Sequence, residues 1–100
     1  MTRKALLLTA LTAAVVDAAF AADPNHGKAI VGRWCAECHM VAAGQKASTE
    51  APPFSSLATR PGFDEAKVAF FLLDPHPKMP NMQLSRAEVA DIAAYIATLK

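Results

Sequence analysis

Cys35-Ala36-Glu37-Cys38-His39 places two thiols two residues apart, with an imidazole directly after the second. On a helical turn, residues three apart project from neighbouring positions on one face. Two sulfurs so placed can reach the two vinyl groups of one porphyrin and form thioethers. The next side chain comes round beneath the ring and can give a nitrogen to its iron. The run therefore reads as an attachment site for one covalent haem c through Cys35 and Cys38, with His39 as an iron ligand.

Other chemistries fit the rest of the chain less well. A thioredoxin-like Cys pair belongs in a βαβ pattern, and no strand-like run occurs here. A structural zinc site needs four ligands. These are the only two cysteines, and His26 and His76 are the only other imidazoles. A Cys35–Cys38 disulfide would require an oxidising compartment.

The elements that must position these groups read as helices. Asp23 is an N-cap candidate and Pro24 suits the first helical position. Gly27, Ile30, Val31 and Trp34 then fall on one helical face, which places Trp34 in the core. Gly27 inside a helix costs stability, so it implies close approach by another backbone. Residues 40–56 read as loop, with Pro52-Pro53 opposing helix; Lys46 and Glu50 read as solvated. A second helix starts after the N-cap candidate Asp64. It presents Val68, Phe71 and Leu72 as an apolar face and stops near Asp74, before Pro75 and Pro77. Ser85 and Glu88 form a capping box for a last helix. Its stripe is Val89, Ile92, Ala93, Ile96 and Leu99, with Tyr95 alongside. His26 reads as a surface residue.

An iron held by one His has a sixth position, and a thioether there raises the reduction potential. Met79 and Met82 both lie in the stiff, proline-rich loop before the last helix. His76 in the same loop would give a bis-His haem of lower potential. Met79, held between Lys78 and Pro80, is the preferred ligand because its loop needs least further ordering.

These features together resemble the small class I cytochromes c of bacteria, over nearly all of residues 22–100. The resemblance implies an all-α fold, with three main helices and irregular loops wrapped around one covalently bound haem. It pairs Gly27, eight residues before Cys35, with Ile92 and Tyr95 of the last helix. Val31 stands where the family has an aromatic residue, which makes that contact smaller. Ala51-Pro52-Pro53-Phe54 resembles the stretch whose Pro carbonyl accepts the proximal His N–H, and Pro52 is the matching residue. Arg60 falls where some members place an Arg near a haem propionate. Lys78-Met79-Pro80-Asn81 resembles the ligand loop of short bacterial members, which favours Met79 over Met82.

Length and charge bound the rest. The chain has 100 residues and a formal net charge of +1. Arg3 and Lys4, the apolar run from Ala5 to Val16 and the small-x-small Ala19-Phe20-Ala21 read as a signal peptide over 1–21. Asp17 is an unusual residue in such a segment. Cleavage after Ala21 leaves one domain over 22–100, of 79 residues. Of ten Lys/Arg it loses Arg3 and Lys4, and of nine Asp/Glu it loses Asp17, leaving eight of each. That balance offers no footprint for nucleic acid. A domain so small needs a staple, and a bonded haem supplies one. The expected protein is a periplasmic monomer with no membrane span after cleavage, and not an enzyme. It would shuttle single electrons between transient donor and acceptor proteins, with Ala36 and Met40 beside the exposed haem edge. The alternatives are a haem-based ligand-binding or sensing protein, or a haem subunit of a larger oxidoreductase complex.

Overall fold

The computed structural model describes residues 5, 8–12, 21–42, 45, 51–74 and 79–100. Within them the chain forms four helices and no strand: α1 (Pro24–Trp34), α2 (Phe54–Ala58), α3 (Glu65–Leu73) and α4 (Arg86–Ala97). The expected all-α architecture holds, with one short helix added. Most of the expected signal segment lies outside the described residues, as do Lys46, Glu50 and His76. Leu8 and Leu11, which are described, are exposed.

The helix boundaries follow from local chemistry. Asp23 caps α1 by accepting from the Asn25 and His26 N–H groups, and Pro24 needs no amide partner at the first helical position. Asp64 caps α3 through the Lys67 N–H. Ser85 and Glu88 complete a reciprocal capping box on α4. The two Ser85 hydrogen bonds, backbone first, hold the Glu88 carboxyl below its ordinary range.

All three other helices pack on α4. Ile92 and Ile96 are fully buried with Val31 and Val89, each worth about 1.5–3 kcal/mol relative to exposure. Gly27 sets the α1–α4 crossing. A Cβ built there would lie 2.0 Å from the Asp91 carbonyl oxygen and 2.9 Å from the Ile92 nitrogen, so only a hydrogen fits.

Three expectations need correction. Trp34 is 48% exposed rather than part of the core. The buried position passes instead from Val31 to Cys35, one turn on, and α1 ends at Trp34. Residues 54–56, read as loop, begin α2. Pro53 takes the extended N-cap position there, so its ring opposes nothing. The apolar face of α3 buries no residue completely; Val68 and Leu72 are half-buried and Phe71 is exposed.

A further tie joins the start of α1 to α4. Asp91 accepts from the Asp23 N–H at 2.7 Å and meets His26 Nδ1 at 2.6 Å. His26 is exposed, as expected of a surface residue, yet it is paired. The hydrogen bond to Asp91 raises the His26 pKa, and the same bond, then that from the Asp23 N–H, lowers that of Asp91. The raised His contributes fully below its ordinary 6.5, and the contribution is lost as pH rises through the folded value. The lowered Asp contributes above its ordinary 3.8, and the contribution is lost as pH falls through the folded value. The pair therefore supports the fold most between those two pH values. Asp91→Asn is expected to lower the melting temperature more at pH 5.5 than at pH 9. Equal losses at both would show that the charge on His26 plays no part.

Candidate functional site

The last turn of α1 leads into the thiol–imidazole run. The Cys35 N–H closes on the Val31 carbonyl, and the Cys35 carbonyl then accepts from the Cys38 and His39 N–H groups at 3.2 and 2.9 Å. The backbone thus makes one more helix-like turn through the motif, the arrangement that brings residues three apart to one side. Cys35 is buried and Cys38 exposed, and neither is in a disulfide. Burial first, and the neighbouring Cys38 second, push the Cys35 thiol up to about 11. A redox-active or nucleophilic cysteine needs the opposite shift, commonly supplied by a helix N-terminus. Here the pair follows a helix C-terminus, so it is poorly suited to thioredoxin-like exchange. No group of three or more His, Cys, Asp and Glu side chains able to hold a metal occurs among the described residues.

His39 is fixed by groups distant in sequence. Its Nδ1 lies 2.7 Å from the Pro52 carbonyl oxygen. Only a protonated nitrogen can donate there, so the bond selects the Nδ1–H tautomer and leaves Nε2 with its lone pair for a metal. The Phe54 ring lies 4.9 Å from the imidazole, tilted by 43°. Phe54 also donates its N–H to the Met40 carbonyl at 2.9 Å, tying the start of α2 to the residue after His39. Val41 donates its N–H to Gln45 Oε1. Its carbonyl accepts from the Tyr95 hydroxyl at 2.6 Å.

Cys35 and His39 open onto a cavity of about 420 Å³. That volume suits a ligand of a few hundred ångströms cubed lined mostly by apolar groups. Three helices supply its walls: Phe54 and Leu57 of α2, Val68 and Leu72 of α3, and Ile96 of α4. This explains why α3 buries nothing completely, since its apolar face borders the cavity instead of protein. Pro52, Arg60 and Met79 also stand on the wall. Met82 is half-buried but lines none of it. Ala36 packs against the core cluster and Met40 is half-buried; neither lines the cavity. Phe63, on the wall, carries the Lys100 ammonium over its ring at 5.1 Å.

The cavity and donors fit a haem. An imidazole nitrogen and a thioether are both available to iron, the Cys35 thiol stands on the wall, and the lining is mostly apolar. Of the residues singled out in the sequence, Cys35, His39, Pro52, Arg60 and Met79 line the cavity, and Cys38 does not. Sequence reasoning did not locate Phe54 as the ring against His39, or the hydroxyl of Tyr95. Phe54 follows Pro52-Pro53 in the stretch already singled out, so a signal existed for it. For the hydroxyl none did, because its partner lies 54 residues away.

Comparison with known proteins agrees. Residues 22–96 match the family described as cytochrome c oxidase, cbb3-type, subunit III. The chain is 52% identical over 98 residues to cytochrome c-552 of Bradyrhizobium diazoefficiens, covering 97% of this chain and 94% of that protein. No solved structure matches it. With this sequence likeness, a spaced cysteine pair and a strand-free helical fold among the described residues, the chain belongs to the class I c-type cytochromes, within the family that includes subunit III of the cbb3-type oxidases.

Proposed function

We propose that residues 22–100 form the working domain and carry single electrons through one haem c, held by Cys35 and Cys38 and ligated by His39 and Met79. The observation that carries this reading is the cavity with Cys35, His39 and Met79 on its wall and His39 Nδ1 bonded to the Pro52 carbonyl. When bound, the haem supplies an iron that alternates between Fe(III) and Fe(II). The protein's part would be to offer His39 and Met79 to the iron, keep water out and set the potential. The Pro52 carbonyl fixes the imidazole and makes it more basic. Met79, on the cavity wall, would offer the iron a neutral sulfur. The α3 side chains exclude water from the ring, and Arg60, exposed at the rim, can meet a haem propionate. With His39 and Met79 both committed to the iron, no residue or open site would be left for substrate chemistry.

The same electron transfer serves two settings. The family match over residues 22–96 favours a haem-bearing subunit working within a larger oxidoreductase. A free monomeric shuttle between periplasmic donor and acceptor proteins is the second reading. It is supported by the near-complete length match to cytochrome c-552. Among the described residues no helix is long and apolar enough to cross a membrane. Either setting agrees with export by residues 1–21.

Size fractionation of mildly solubilised cells distinguishes the two. Migration of the haem protein with a large oxidoreductase is expected for the subunit, and elution as a small monomer for the shuttle. Carbon monoxide binding to the reduced protein at neutral pH would contradict the closed sixth position and favour a ligand-binding haem protein.

A further inference from the structure

We infer that the Tyr95 hydroxyl is a positioning group for His39, acting through the Val41 carbonyl; this rests on His39 being the iron ligand, as proposed above. The two residues after His39 are held at successive backbone groups. The Met40 carbonyl accepts from the Phe54 N–H, the Val41 N–H donates to Gln45, and the Val41 carbonyl accepts from Tyr95 at 2.6 Å. The first two bonds come from the loop that contains the site and from the start of α2. Only Tyr95 comes from the central helix, which contacts all the others. Its ring is buried at 6% exposure, and it lies one turn beyond Asp91, where the Gly27 contact fixes the register of α4 against α1. The hydroxyl thus links the α1–α4 crossing to the backbone beside the ligand.

Loss of this donor leaves the carbonyl of a buried residue without its partner, and such groups move or take up water. Movement of residues 40–41 carries Phe54 with it through the Met40 bond. Phe54 is two residues from Pro52, whose carbonyl holds the His39 Nδ1–H. The expected consequence is a longer Nδ1–H···O bond and a less basic imidazole. A less basic ligand stabilises ferric iron less, so the potential rises.

Tyr95 is the only tyrosine in the chain, so its hydroxyl can be altered in both directions. Tyr95→Phe removes the donor, and biosynthetic replacement by 3-fluorotyrosine, a more acidic phenol, strengthens it. The readouts on the holoprotein are solvent exchange of the His39 Nδ1 proton by NMR and the reduction potential. Tyr95→Phe is expected to speed exchange by roughly fivefold or more, the factor that one ordinary hydrogen bond represents, and to raise the potential. Fluorotyrosine is expected to move both the other way. Val89→Ala, a buried truncation elsewhere on α4, is the stability control and should leave both readouts unchanged. If Tyr95→Phe behaves like wild type or like Val89→Ala in both, the inference is overturned. Opposite shifts for the two Tyr95 replacements would establish it even if the phenylalanine variant folded poorly. If the wild type carried no haem, the function proposed above would fail, and the exchange comparison on that protein would still decide the role of the hydroxyl.

Discussion

Gly27→Ala is expected to cost at least about 3 kcal/mol of stability, the upper range for overpacking. The added methyl would meet the Asp91 oxygen at 2.0 Å, the Asp91 carbonyl carbon at 2.4 Å and the Ile92 nitrogen at 2.9 Å. All three are backbone atoms of a helix, so no rotamer change relieves the overlap. The helices must separate, and separation uncovers Val31, Ile92 and Ile96 together. It also pulls the Asp23 N–H and His26 away from Asp91. A domain of this size has only about 4–12 kcal/mol in total. The variant should therefore unfold at much lower urea concentration. Gly32→Ala is the contrasting control. Its Cβ would meet nothing within 4 Å, so better helix propensity should raise stability by about 0.5–1 kcal/mol. Equal effects of the two substitutions would show that the α1–α4 crossing is not set by close backbone contact.

Met79→Ala should produce the largest change in redox behaviour. A thioether is a neutral, soft ligand that favours Fe(II), so its removal lowers the potential. The fall should be on the order of a quarter of the roughly 0.8 V over which axial ligands set haem potentials. The vacated position should also let the reduced protein bind carbon monoxide. Met82→Ala should do neither, since Met82 does not stand on the cavity wall. The reverse pattern would move the sixth ligand to Met82. Wild-type behaviour in both variants would point to His76, which lies outside the described residues.

Local signals and distant pairings were unequally legible in the sequence. Asp23-Pro24 and Ser85 with Glu88 mark helix starts because caps act within one turn. Gly27 was readable because glycine inside an apolar helical stripe has few reasons to be there. The Cys35–His39 run carries its chemistry in its spacing. By contrast, Trp34 continued the same stripe in type yet ends up half in solvent, since the helix ends and Cys35 takes the inner position. The α3 stripe was legible as apolar, but periodicity cannot tell a protein-covered face from one that borders a cavity. Five residues of α2 are too few to show any period. The His26–Asp91 and Tyr95–Val41 bonds span 65 and 54 residues, and neither side chain carries a local sign of its partner.

A haem bonded to Cys35 and Cys38 would survive denaturation and extraction of loosely held pigment, so the intact mass of the purified protein reveals it. The expected value is the processed polypeptide plus one haem. The mass of the bare polypeptide, with both thiols still alkylatable or joined as a disulfide, would contradict it.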